Sequence, residues 1–364
     1  MIKDRVERLR SFLERLSLTG VVITEMKNVR YFSGFTGSDG VLVIGEEHGV
    51  FLTDGRYTTQ ASGEVTQFPV EEYNKKVDGI SNVIDGMGLD KVGVESHNMT
   101  LFAFEELKKV VSGAELVLIK DDLSKLRMVK EEGEIDCIRK AIKISEGALD
   151  EITPMIVPGV SEADIAVELE YVMKKRGSDP IPFPIIVASG ENGAIVHATP
   201  GLRKLKKGDL LLIDFGAVFK GYSSDQTITY QISNGGTIVG AKDKGDKRKI
   251  FEVVRSAQRE GIVRARSGVP VKEVDEAVRE FIDEKGFGEY FTHSTGHGVG
   301  LNVHEPPAIS SLCDDVLAAG MVITIEPGIY IPGWGGVRLE DMILITEDSP
   351  KVLTTIPKSF KVLN

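Results

Sequence analysis

The chain has 364 residues, a formal net charge of −11, and 41% hydrophobic and 27% charged side chains. That length can bury more than one sizeable core, and the acidic balance argues against a nucleic-acid binder, which needs a basic patch. No run of about 18 apolar residues occurs, so no membrane span is expected. Cys137 and Cys313 lack the close spacing of a cysteine metal motif, and so few cysteines fit a cytoplasmic setting.

The chain opens with a charged stretch in which Val6, Leu9, Leu13 and Leu16 recur at helical spacing. This predicts an amphipathic helix rather than an export signal. Short β-rich runs follow at residues 20–24, 41–44, 50–53, 92–95 and 116–119, with helical patterns between them, including one over 101–111. The alternation predicts a small α/β domain, a sheet covered by helices. Gly34-Phe-Thr-Gly37-Ser-Asp-Gly40 reads as a glycine-rich turn, because it lacks the Gly-Lys-Ser/Thr ending of a phosphate loop. A charged connector around residues 121–130 places the boundary between a first domain, 1–122, and a second, 123–364.

The second domain begins with a long helix over residues 131–153, whose stripe of Ile135, Ile138, Ala141, Ile142 and Ala148 should face a core. Ser161, with Asp164 three residues on, reads as the N-cap of a helix reaching Lys175. Pro180, Pro182 and Pro184 exclude a helix and predict an extended approach to a strand at 185–188. Two β runs within 209–230, separated by residues 218–221, suggest a hairpin. Helices at 249–266 and 271–285 follow, and strands at 322–325 and 337–345 flank the turn-rich Pro332-Gly-Trp-Gly-Gly336. Antiparallel strands with several helices make this domain α+β.

His293, His297 and His304 are three of the six histidines and fall within twelve positions around Gly-His-Gly. Glycines at 296, 298 and 300 exclude a helical His-Glu-x-x-His zinc motif and predict a tight turn around His297. Asp214 and Asp225 straddle a midpoint between Phe219 and Lys220, so an antiparallel hairpin would set them side by side on one face. Glu326 and Glu340 repeat the device about Gly333. Facing like charges destabilise a sheet unless a cation neutralises them. Four carboxylates and an imidazole suit hard to borderline divalent ions, and their charge balances two of them. The plain alternatives are a surface loop of histidines and acids paired with lysines.

Those five residues, with Gly296-His-Gly-Val-Gly300 and Ile325-Glu-Pro-Gly-Ile-Tyr330, resemble the pita-bread metallopeptidases. That family includes methionine aminopeptidase, aminopeptidase P and prolidase. Tyr31-Phe-Ser-Gly-Phe-Thr-Gly37 and Thr53-Asp-Gly-Arg-Tyr57 resemble its creatinase-like N-terminal domain. The resemblance implies a pita-bread α+β catalytic domain behind a smaller α/β domain. It also implies two divalent ions per chain: Mn or Co, with Zn or Fe as alternatives. Asp214 would chelate one ion, His297 and Glu326 the other, and Asp225 and Glu340 would bridge them. Glu326 would also carry the proton to the leaving nitrogen. His197, His293 and His304 would contact substrate or the tetrahedral intermediate, and Tyr330 and Arg338 would lie near the proline side.

The implied activity is that of an Xaa-Pro aminopeptidase, acting on short peptides with proline second. The alternatives are an Xaa-Pro dipeptidase and a metal-free binding member of the fold, which the intact five positions disfavour. A homodimer is expected, with residues 1–120 restricting the substrate to short peptides.

Overall fold

The spacing of Val6, Leu9 and Leu13 is realised in α1 (Ile2–Arg15), which buries all three, while Leu16 lies beyond the helix end and is exposed. The computed structural model describes residues 2–120, 123–233 and 247–363. The chain divides into two compact units, Met1–Arg127 and Met128–Asn364.

The first unit is built on a mixed six-stranded sheet of order β4-β3-β2-β1-β5-β6. Its strands are β1 (Gly20–Ile23), β2 (Val41–Gly45), β3 (Gly49–Thr53), β4 (Val70–Glu72), β5 (Lys91–Glu95) and β6 (Glu115–Ile119). The central strands β1 and β2 are buried along their whole length, as Val- and Ile-rich strands covered on both faces must be. Helices α2 (Met26–Ser33), α3 (Thr58–Glu64), α4 (Lys76–Gly86) and α5 (Leu101–Val110) complete the unit. β4 has no clear signature in the sequence, being three residues long with both glutamates exposed. The short helix Leu123–Arg127 belongs here as well. The Tyr31 hydroxyl donates to Leu126 O (3.1 Å), and the Arg127 guanidinium donates to Asn28. The unit therefore runs past the sequence-placed break at 122/123, beside residues 121 and 122, which lie outside the described residues.

In the second unit, α6 (Glu132–Ile152) and α7 (Glu162–Lys175) both open with reciprocal capping boxes, the latter from Ser161 and Asp164. α8 (Lys247–Arg264) and α9 (Val271–Glu284) follow the first group of strands. That group is β7 (Ile186–Ser189), β8 (Leu210–Phe215), β9 (Val218–Phe219), β10 (Tyr222–Ser223) and β11 (Gln226–Ile232). The second group is β12 (Gly296–Gly298), β13 (Glu305–Ile309), β14 (Val322–Ile325), β15 (Gly328–Ile331), β16 (Gly335–Arg338), β17 (Asp341–Leu344), β18 (Lys351–Val352) and β19 (Val362–Leu363). They form sheets of order β19-β11-β8-β7 and β13-β12-β14-β17-β18, with β9/β10 and β15/β16 as separate ribbons. Ile213, Phe215, Ile228, Phe251, Val278 and Ile329 join both strand groups to α8 and α9 in one core. Among the described residues, no helix is long and apolar enough to cross a membrane.

Two strand expectations need correction. Asp214 pairs with Thr227, and Phe219 with Tyr222, so the first hairpin turns at Lys220–Gly221 rather than between Phe219 and Lys220. Both turn residues have positive φ, 49° and 79°, the geometry of a type I′ turn, whose twist matches that of the flanking strands. Asp225 thus lies two positions from Asp214's partner, and the two acids are diagonal neighbours on one face. The second hairpin does centre on Gly333, with Ile325 opposite Asp341 and Gly328 opposite Arg338. Its return strand is not continuous over 337–345, because it breaks at Leu339 and Glu340, between β16 and β17. There the backbone bonds sideways: Glu340 N–H donates to Thr227 O (3.1 Å) and Glu326 N–H to Thr295 O (2.8 Å).

Replacing Gly221 with Val puts a β-branched residue at φ 79°. Unfolding in urea is expected to show a loss of about 1–2 kcal/mol. An unchanged midpoint would mean that the turn does not fix this register.

Candidate metal centre

The acids sit where the hairpins stop pairing with themselves. Asp214 is the next-to-last residue of β8, Asp225 immediately precedes β11, Glu326 follows β14, and Glu340 occupies the break between β16 and β17. His297 comes from β12, which lies between β13 and β14. The glycines beside it serve close approach rather than the tight turn their spacing predicts. A Cβ on Gly296 would lie 2.1 Å from Thr324 O, and one on Gly298 would lie 2.3 Å from Pro306 O. Only glycine lets both neighbouring strands come so near.

His297 Nδ1 lies 3.1 Å from Gly298 O. With Nδ1–H donating there, Nε2 becomes a lone-pair donor once its proton is lost, the usual arrangement for a metal-ligating imidazole. In the metal-free chain burial acts against the protonated ring, but Glu326 overcomes it and favours that form. Nε2 faces Glu326 Oε1 at 3.3 Å and Asp225 Oδ2 at 3.6 Å. Hydroxyls orient two of the acids: Thr324 Oγ1 donates to Glu326 Oε1 (3.3 Å) and Thr227 Oγ1 to Glu340 Oε2 (2.8 Å). Asp214 Oδ2 accepts from Arg338 Nη2 (2.5 Å), while its Oδ1 is buried with no hydrogen-bond partner among the described residues. Ligand atoms fall within 4.8 Å of one another in three overlapping groups: Asp214–Asp225–Glu340, His297–Glu326–Glu340 and Asp225–His297–His304.

The electrostatics show what this cluster lacks. Burial, then the neighbouring Glu340, Asp214 and Glu326, push Asp225 well above the usual carboxylate range. Burial, followed by Glu326 and Asp214, does the same to Glu340. Asp214 is raised by burial, with Arg338 opposing. For Glu326 burial also acts upward, but the hydrogen bond and charge of His297 outweigh it and hold the carboxyl at about 2. One guanidinium and one imidazole do not neutralise four buried acids. The orphaned Asp214 oxygen and the set of carboxylates with one imidazole therefore fit divalent cations.

Beside the acids opens a cavity of about 550 Å³, walled by Phe183, Ile185 and Val196 and lined by His197, His293 and His304. His304 stands edge-on to His297, with ring centroids 4.3 Å apart. His293 Nδ1 is 2.7 Å from Ser294 O, and its Nε2 is 2.8 Å from the Tyr330 hydroxyl. That hydroxyl also accepts from Arg338 Nη1 (2.9 Å). Arg338, 2% exposed, further donates from Nε to Thr227 Oγ1 (3.0 Å) and from Nη1 to Val196 O (3.2 Å).

Nine of the ten residues singled out in the sequence line this cavity, and Tyr330 stands behind it, bonded to His293 and Arg338. Sequence reasoning missed Thr227 and Thr324. Thr227 becomes visible only once the turn is placed at Lys220–Gly221, which makes it the partner of Asp214. Thr324 was discoverable from strand alternation, two residues before Glu326.

Residues 136–347 match metallopeptidase family M24, and residues 5–129 match the creatinase/prolidase N-terminal domain. The chain belongs to metallopeptidase family M24. The Xaa-Pro dipeptidase of Pyrococcus horikoshii is 37% identical to this M24 chain over 356 residues, 97% of each. The structure of an Xaa-Pro dipeptidase from Bacillus anthracis matches with a TM-score of 0.94 at 36% identity, over 100% of both chains. The structure of an X-Pro aminopeptidase from Thermotoga maritima matches with a TM-score of 0.86 at 36% identity, over 96% of this chain and 99% of that one. This M24 member is a metal-dependent hydrolase with a pita-bread catalytic domain that follows a creatinase-like one in the sequence.

Folding raises Asp225 and Glu340, so the metal-free folded chain keeps protons that the unfolded chain has already released. Its stability therefore falls as pH rises from the ordinary carboxylate range through the raised values. Divalent ions displace those protons. The gain in Tm on adding Mn²⁺ is expected to be larger at about pH 8 than at about pH 6. Thermal unfolding with and without chelator checks this, and a gain that shrinks with pH would contradict it.

Proposed function

We propose that this M24 member is an Xaa-Pro dipeptidase, hydrolysing the bond between the first residue and a C-terminal proline. The carrying observation is the dipeptidase relative that aligns over 97% of both chains, supported by the full-length structural match to a second dipeptidase. The sequence alone ranks the aminopeptidase reading first, and these relatives reverse that order. A homodimer and a cytoplasmic setting belong to the same proposal.

In this reading Asp214, Asp225, His297, Glu326 and Glu340 hold two divalent ions, Mn or Co foremost. When bound, the ions supply an activated water and polarise the scissile carbonyl. The protein does the rest. Glu326, beside His297, takes a proton from the water and delivers it to the leaving nitrogen. An amide nitrogen leaves as an amine and so must gain a proton, and in an Xaa-Pro bond it carries no N–H of its own for a peptidase to grip. Tyr330 fixes the His293 ring at the cavity edge, and His304 offers an N–H to the developing oxyanion. Phe183, Ile185 and Val196 form an apolar wall for the pyrrolidine ring.

One observation favours the aminopeptidase reading. Among the described residues lining the cavity, Arg338 is the sole Arg or Lys, and it is engaged by Asp214, Thr227, Tyr330 and Val196. No spare guanidinium from these residues awaits a dipeptide's carboxylate. Turnover of Ala-Pro, Ala-Pro-amide and Ala-Pro-Ala with Mn²⁺ decides the matter. A dipeptidase is expected to prefer Ala-Pro by about 100-fold or more, since an unmet recognition group weighs heavily. Equal turnover of all three would establish the aminopeptidase instead.

His304→Ala is expected to lower kcat by about 10²–10³, the worth of one positioned donor, while metal content stays at two ions. Near-normal kcat in the metal-loaded variant would remove His304 from the mechanism.

A further inference from the structure

We propose that Glu162 is a positioning residue for the substrate, its buried carboxylate tying down both ends of the segment that carries His197. The inference rests on the reading of His197 as a substrate contact.

Glu162 is the first residue of α7 and is 0% exposed. Its Oε1 accepts from Ser189 N–H (2.7 Å), Ser189 Oγ (2.7 Å) and Asn192 Nδ2 (3.1 Å). Its Oε2 accepts from Asn192 Nδ2 (3.1 Å) and Gly201 N–H (3.3 Å). Ser189 ends β7 and Gly201 lies beyond the cavity wall of Val196, His197, Ala198, Thr199 and Pro200. One carboxylate thus closes the base of residues 189–201. Burying a carboxylate is costly unless its oxygens are satisfied. Here the donors that satisfy it come mainly from that one segment, so the segment is fixed by the same bonds.

The rest of the segment is braced on the catalytic side. Gly193 packs so closely on β16 that a Cβ there would lie 2.9 Å from Gly336 N. Val196 O accepts from Arg338 Nη1 (3.2 Å), which places the residue before His197 against the guanidinium that holds Asp214. Arg203 reinforces the base, donating to Ser189 Oγ (2.6 Å) while paired with Asp209 (2.7 Å). The His197 side chain is itself exposed at the cavity. Its place is therefore set by its backbone, and its backbone by Glu162.

A purely structural role for Glu162 is separable by a double-mutant cycle. Glu162→Gln keeps the shape but turns one acceptor into a donor facing N–H groups. In the Mn²⁺-loaded enzyme it is expected to lower kcat/KM for Ala-Pro about 10- to 100-fold, as misplacement of a substrate contact does. Metal content should stay unchanged, and amide exchange should accelerate within residues 189–201. In a His197→Ala background the same change should have little further effect on kcat/KM. Asn192→Ala, which removes one donor and leaves the carboxylate, should act in the same direction and more weakly. An equal Glu162→Gln loss with and without His197 would overturn the proposal, as would faster exchange spread evenly over the whole catalytic unit. If the unaltered enzyme cleaved no Xaa-Pro peptide, the functional reading would fall, and the exchange comparison would still decide whether Glu162 holds the segment.

Discussion

Mutual repulsion of buried carboxylates is the constraint on which the catalytic unit depends. Asp214, Asp225, Glu326 and Glu340 lie within reach of one another and out of bulk water. Such a group does not assemble by attraction, so the surrounding scaffold must impose it. Strong pairing on either side of the acids does this. β8 and β11 form a ladder from Phe215–Gln226 to Leu210–Gln231, and β14 and β17 form one from Ile325–Asp341 to Val322–Leu344. Asp225, Glu326 and Glu340 stand just beyond the ends of these ladders, and Asp214 on the next-to-last rung of the first. Among the described residues lining the cavity, Arg338 supplies the only guanidinium, and its three nitrogens reach Asp214, Thr227 and Tyr330.

Both hairpins use the same construction. Each starts as part of a larger sheet, opens at a pair of acids, and closes again as a two-stranded ribbon, β9/β10 or β15/β16. At the openings, main-chain groups that would have paired within the hairpin bond to a different segment instead, as Glu340 N–H does with Thr227 O. This links the two hairpins and leaves their acids facing a common space. It satisfies the backbone without filling the gap between the strands. The threonines at 227 and 324 then orient the carboxylates that the opening exposes.

Much of this was legible in the sequence, and the parts that were not have identifiable reasons. Residue spacing alone placed the second turn at Gly333, because that hairpin keeps one register through its break. The first turn was misplaced by one residue. Lys220 gives no sign that it adopts positive φ, and only the following glycine hints at a primed turn. The helices were clear where caps and apolar stripes agreed, as at Ser161 and Asp164 before α7. The short edge strand β4 and the split of the run at 337–345 depend on what packs alongside, which no local pattern encodes. Spacing and chemistry picked out the four acids and the cluster of His293, His297 and His304, whereas His197, Tyr330 and Arg338 were recognised through family resemblance. Thr227 and Glu162 were not, because their parts emerge only from register and burial.

Placing three of the four acids beyond the ladders, and the fourth near a ladder's end, separates the work of folding from the work of chemistry. The ladders and the core of Ile213, Phe215, Ile228 and Phe251 do not need the carboxylates, which raise the energy of the folded chain on their own. Neutral residues at Asp225 and Glu340 would relieve the repulsion and leave the scaffold sound. Retention of those two acids is thus a standing trade of stability against activity. A lineage released from selection for hydrolysis would drift readily towards a sturdier, inert protein of the same shape.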